Sequence, residues 1–184
     1  MRRGENTTAL ATPVFWCILS AILFGASTPA SKNLLMEDFK PLTLAGLLYL
    51  GAGLFSLPFA LQKSEIPQQT NKTNQIRLLG AVVFGGIVGP VALLYGLKSA
   101  SAGSVSLLLN LETTATALLA YFYFKESLGL KGWVANIAVV AAGILLTIPD
   151  GFSMAPAAVL VLFACFCWGL DNTLTAIIDG YSPS

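Results

Sequence analysis

Histidine is missing from this chain, and charge of either sign is scarce: 10 Lys and Arg with 9 Asp and Glu make up only 10% of 184 residues. Without histidine the chain lacks the commonest metal ligand and the one side chain that titrates unperturbed near neutral pH. A Ser-His-Asp constellation is excluded, and no P-loop or dinucleotide-binding glycine turn is present. Neither an enzyme nor a cofactor or metal is therefore expected. Cysteine is rare too. Cys17, Cys165 and Cys167 all fall in apolar runs, and two positions apart on a helix Cys165 and Cys167 point about 200° away from each other. They read as packing residues, with no disulfide frame. A net charge of +1 gives no reason to expect nucleic acid as a partner.

What the chain has in place of charge is apolar length. It is 55% hydrophobic with a mean hydropathy of +0.76, whereas a soluble domain devotes about a quarter of its residues to charge. Crossing a bilayer takes about 20 apolar residues. Spans are predicted at roughly 13–34, 41–61, 77–97, 102–124, 131–149 and 156–177. Their connections are short except for the polar loop around Gln68-Gln69-Thr70-Asn71, and Lys125-Glu126 and Asp150-Gly151 punctuate later turns. The fold class expected is all-α, a polytopic membrane helical bundle in a lipid bilayer. Met1-Arg2-Arg3 resembles the start of a signal peptide, but the first apolar run is too long and has no small-residue exit. Residues 1–12 read as a tail before the first span.

The first span carries Phe24-Gly25-Ala26-Ser27-Thr28 and the sixth carries Trp168-Gly169-Leu170-Asp171-Asn172. Each places an aromatic and a glycine before a small polar cluster. If this echo marks a repeat, residues 13–149 form a five-helix unit and 150–184 open a second. Five is odd, so the second unit would enter the membrane inverted, as in many secondary transporters. The alternative is that two apolar helices merely share an aromatic-glycine pair. With the N-terminus inside, Arg2, Arg3, Lys63, Lys72, Arg77, Lys125 and Lys131 fall on the inner side, against Lys32, Lys40 and Lys98 outside. The positive-inside rule favours that orientation, and it turns the sixth span over relative to the first.

Pro29, Pro58 and Pro90 lie within spans, where a missing N–H and a ring clash are expected to weaken or kink a helix. Small residues at Gly51 and Gly53, Gly85 and Gly89, and Ala138 and Ala142 are expected to allow close helix packing.

Two acids fall at membrane depth. Glu112 lies about 15 Å along the fourth span, near the midplane, where an acidic side chain costs around 2.5–3.5 kcal/mol and almost always faces a bundle interior or an aqueous path. A carboxyl that takes up and releases a proton there would couple proton movement to transport. A structural acid hydrogen-bonded across helices is the competing reading. Thr116 shares its face, and Asn110, Thr113 and Thr114 form an adjoining stripe. Asp171 is the second acid, standing where the first span has Ser27, while Asn172 matches Thr28. It lines a cavity if the sixth helix continues beyond it and is a solvated end residue otherwise. Lys32 and Lys40 are expected to snorkel to the outer face, Glu126 to lie at the interface, Trp133 to anchor there, and Trp168 to pack or line a cavity.

The stretch from Ala92 to Thr113, with Gly96, Gly103, Asn110 and Glu112, resembles the third-to-fourth helix region of EamA domains of the drug/metabolite transporter superfamily. Tyr121 to Leu128, Gly132-Trp133, Ala142-Gly143 and then Trp168 to Asn172 continue the pattern, so the resemblance runs over about residues 13–180. It implies ten helices in two inverted repeats with cytoplasmic termini in a cell inner membrane, moving small organic metabolites by alternating access, either ion-coupled or by exchange. Glu112, Asn110, Thr113, Thr116, Ser27, Thr28 and Asp171 would line the path and contact substrate or ion. The chain departs from that pattern in lacking helices seven to ten, so a fragment, a homodimer completing the pore, or a non-transporting scaffold or truncation product are all expected alternatives.

Overall fold

The computed structural model describes residues 5–62, 71–125, 127–147 and 155–178, and all regular structure among them is helical. In chain order the elements are α1 Glu5–Met36, α2 Pro41–Gln62, α3 Lys72–Ala81, a π-helical segment Val82–Val88, α4 Gly89–Ser99, α5 Ala102–Leu108, α6 Leu111–Phe124, α7 Gly129–Thr147 and α8 Ala155–Ala176. α3, the π segment and α4 form one continuous span, Lys72–Ser99, and α5 with α6 form another, Ala102–Phe124. With α1, α2 and α8 these are five helices long and apolar enough to cross a membrane. α7 adds 19 residues, about 28 Å at 1.5 Å per residue. The expected all-helical, multi-span bundle is therefore present. Residues 1–4, 63–70, 126, 148–154 and 179–184 lie outside the described residues, and with them Arg2, Arg3, Lys63, Glu126 and Asp150-Gly151.

Local chemistry sets the helix ends. α1 stops where Asp38 takes a left-handed backbone, φ 64°, and the Phe39 N–H returns to the Leu34 carbonyl at 3.3 Å. This is the bond that closes a Schellman-type C-terminus. Pro41, whose missing N–H costs nothing in a first turn, opens α2. Ser101 caps α5, its Oγ accepting the Ser104 N–H at 3.0 Å. Lys125, at φ 54°, ends α6.

The bundle is organised around α8, which packs between the α3–α4 span and α6. The α3–α4 span meets it antiparallel through glycines. Gly80 faces Leu174, Gly85 faces Asp171, Gly89 faces Cys167 and Trp168, and Gly96 faces Ala157 and Val161. At Gly96 an added Cβ would stand 3.0 Å from the Ala157 carbonyl oxygen, so the two backbones would have to give way to any side chain here. The expected Gly85–Gly89 packing thus has α8 as its partner. The other small-residue expectations fare differently. Gly51 and Gly53 meet nothing within 4 Å among the described residues, and Ala138 and Ala142 are exposed. On α7 the packed position is Gly143, where an added Cβ would stand 3.1 Å from the Leu111 side chain. Spacing puts small residues on one face without saying what stands opposite.

Leu97, Val105, Val161, Cys165 and Cys167 are the largest of the fully buried side chains, and both of these cysteines are unpaired packing residues as expected. Pro29 and Pro58 are carried within helices that continue past them. The irregular backbone lies elsewhere, at the π segment that precedes Pro90 and at the junction of α5 and α6. Lys32 finds defined acceptors at the end of α4. Its ammonium donates to the Leu97 and Lys98 carbonyls at 3.0 and 3.1 Å, placing a cation on the C-terminal carbonyls of α4. At the opposite end of that span, Arg77 donates to the Ile177 carbonyl at 2.7 Å and so holds the end of α8.

Candidate solute and ion site

The fourth span is broken two residues before Glu112. Around Leu109 and Asn110 the backbone shifts to tighter pairing. The Asn110 N–H reaches Leu107 O at 3.2 Å, Glu112 N–H reaches Leu109 O at 3.0 Å, and Thr113 N–H reaches Asn110 O at 3.3 Å. Asn110 repairs the break with its own side chain, Nδ2 donating to the Leu107 and Ser106 carbonyls at 3.0 and 3.4 Å. The Thr113 hydroxyl donates to the Asn110 carbonyl at 2.7 Å. From α8, the Cys165 thiol lies 3.7 Å from the Leu108 carbonyl. Free backbone groups at membrane depth need partners from nearby side chains or water, and these side chains supply them.

This junction faces α1 across a cavity of about 320 Å³ lined by Phe24, Thr28, Ser106, Asn110, Glu112 and Thr113 among others. Thr28 is buried while Asn110 and Thr113 are exposed, so the cavity opens outward past the α5–α6 junction. On the other side of Glu112 stands α8. The Asn172 amide nitrogen lies 3.3 Å from Glu112 Oε1 and 3.3 Å from Thr116 Oγ1, donating to both. α6 and α8 come this close because Gly169 has no side chain; a Cβ there would stand 3.1 Å from the Thr116 nitrogen and 3.2 Å from the Ala115 carbonyl carbon.

The neighbouring acid belongs to a different place. One residue along α8 is about 100° of rotation, which turns Asp171 toward the π segment, where its carboxylate packs directly on Gly85. The Thr175 hydroxyl donates to Asp171 Oδ1 at 3.1 Å. The Gly85 carbonyl accepts two bonds, from Tyr49 OH at 3.2 Å and Trp168 Nε1 at 3.1 Å. π-helical turns of this kind occur often at functional positions.

Of the seven residues singled out from the sequence, Thr28, Asn110, Glu112 and Thr113 line one cavity. Thr116 joins them through Asn172. Asp171 is turned to Gly85 on a helix that does continue beyond it. Ser27 bonds back to the Phe24 carbonyl at 2.6 Å and does not line the cavity. Sequence reasoning did not place Asn172, Tyr49 or Ser106 here. Asn172 carried a signal in matching Thr28, since the two echo positions approach the start of α6 from opposite sides.

A second, larger cavity of about 640 Å³ lies among α6, α7 and α8 and is almost wholly apolar. Its one distinctive group is Thr114, whose buried hydroxyl has no hydrogen-bond partner among the described residues.

Comparison with known proteins gives this arrangement a kinship. Residues 11–148 match the EamA-like transporter family. The chain is 27% identical over 180 residues to an uncharacterized transporter of Methanothermobacter thermautotrophicus, covering 88% of this chain and 52% of that protein. It is 31% identical over 129 residues to an uncharacterized transporter of Synechocystis, covering 70% of this chain and 38% of the relative. It is also 30% identical over 152 residues to a WAT1-related chloroplastic protein of Arabidopsis thaliana, covering 80% and 34%. The chain thus spans about half the length, or less, of these curated relatives. No solved structure matches it. With a family match over most of its length and apolar helices long enough to span a bilayer, this multi-pass membrane protein belongs to the EamA-like transporter family.

Proposed function

We propose that this chain forms the first repeat, residues 13–149, and the opening helix of a second repeat in a secondary transporter that moves small organic solutes by alternating access. The observation that carries the reading is Glu112. This acid stands at mid-depth beside a broken span, in a cavity with Thr28, Asn110 and Thr113, and is tied to a neighbouring helix through Asn172. Carrier sites are built this way, at bilayer mid-depth on interrupted helices. An acid at that depth is a costly feature that function commonly explains.

In this reading Glu112 is the ion-coupling or solute-contacting acid, and Thr116 and Asp171 act beside it rather than within the same cavity. The N-terminus lies on the cytoplasmic side of a cell inner membrane, as the basic residues favour. The exposed polar face of Asn110 and Thr113 would be closed by a second copy of the chain or by a further set of helices. Solute uptake into proteoliposomes, measured for the wild type and Glu112→Gln across a range of pH, tests the coupling role. The expected result is loss of uptake, or loss of its pH dependence, in the variant. Wild-type uptake at every pH would remove Glu112 from the mechanism.

A further inference from the structure

We infer that the cavity between α1 and the α5–α6 junction takes a small organic cation, an ammonium or guanidinium, and rejects carboxylates. The inference rests on the transport reading of the same site and adds to it the chemistry of the solute.

Around the cavity several hydrogen-bond donors are already used, while acceptors remain free. Asn110 spends its amide protons on the Ser106 and Leu107 carbonyls, which leaves its Oδ1 as an acceptor. Thr113 spends its hydroxyl proton on the Asn110 carbonyl, which leaves oxygen lone pairs. Two backbone donors at the start of α6 are consumed as well, Glu112 N–H on Leu109 O and Thr113 N–H on Asn110 O. Glu112 receives Asn172 on Oε1 alone, so Oε2 keeps its capacity to accept. Thr28 and Ser106 carry hydroxyls that act in either sense.

Charge points the same way. Among the described residues Glu112 is the only ionisable group lining the cavity, and no lysine or arginine lines it. Lys32, one helical turn beyond Thr28, is committed to the Leu97 and Lys98 carbonyls. A lining with one acid, spare acceptors and spent donors suits a ligand that brings donors and positive charge. A carboxylate would meet the Glu112 carboxyl with only the Thr28 and Ser106 hydroxyls left to donate to it, and a poorly matched charge away from water is costly. Phe24 adds an aromatic face of the kind that attracts a cation.

The test is equilibrium binding to the 184-residue chain in lipid nanodiscs with three probes of nearly equal shape: phenethylammonium, phenethyl alcohol and phenylacetate. The expected order places the ammonium at least about tenfold tighter than either of the others, the scale of one charge-assisted hydrogen bond. Glu112→Gln should abolish that preference, and Thr113→Val should reduce it by a smaller factor. Equal binding of the alcohol or the carboxylate, no binding of the ammonium, or a preference that survives in folded Glu112→Gln would each overturn the inference. If Glu112→Gln does not fold, the wild-type series and Thr113→Val decide the matter. Selective ammonium binding with no solute moved in proteoliposomes would overturn the transport reading and leave this inference standing. Transport of a carboxylate would do the reverse.

Discussion

α1 and α8 carry the same aromatic-glycine opening and a similar polar cluster after it, yet α8 is the most enclosed of the five spanning helices and α1 the least. The difference lies in what faces each helix. Gly85, Gly89 and Gly96 on the third span let α8 approach closely on one side, and its own Gly169 admits the α6 backbone on the other. The matching Gly25 of α1 meets nothing within 4 Å among the described residues. A shared motif therefore sets a shared local shape, a helix with a smooth notch and polar groups beyond it. Whether the notch is filled depends on the neighbour. Both helices nevertheless bring their polar residue to the start of α6, Thr28 in the cavity and Asn172 on the Glu112 carboxylate.

The largest effect should come from filling the occupied notch. Gly169→Ala drives a methyl onto the α6 backbone, which cannot move aside as a flexible side chain can, and overpacking of this sort costs about 1–3 kcal/mol. A lowered melting temperature in detergent is the expected readout. An unchanged one would mean that α6 and α8 are not in close contact.

A smaller effect is expected across the polar bridge. A double-mutant cycle with Glu112→Ala and Asn172→Ala, read by denaturation in detergent or bicelles, should give a coupling near the membrane average of about 0.6 kcal/mol and no more than about 1.7 kcal/mol. A coupling of zero would leave Asn172 and Glu112 as neighbours without a bond.

The smallest is expected at the empty notch. Gly25→Ala should change stability by no more than about 0.5 kcal/mol. A loss as large as that of Gly169→Ala would show that α1 meets a close partner in the folded protein, and would erase the contrast with α8.

The helical class and the positions of the spans could be read from the sequence because hydropathy and length act residue by residue and need no neighbour. Glu112 was legible for the same reason: an acid in an apolar run is conspicuous wherever the helix is placed. The prolines alone did not say where the backbone would become irregular, because their effect depends on context. α1 and α2 continue through Pro29 and Pro58, while the irregular turns gather where α8 and side-chain donors occupy freed carbonyls, at Gly85 and around Asn110. Asp171 and Asn172 are adjacent in sequence, and only the rotation of α8 sends one to Gly85 and the other to Glu112.

By itself, then, the sequence determined a membrane bundle of apolar helices with an acid inside an apolar run, because transfer from water to hydrocarbon sums over single residues. The tertiary structure decided which polar groups share a cavity, which donors are already spent and which glycine is filled. Those outcomes turn on helix rotation and close approach, where a fraction of a turn or an ångström changes the partner.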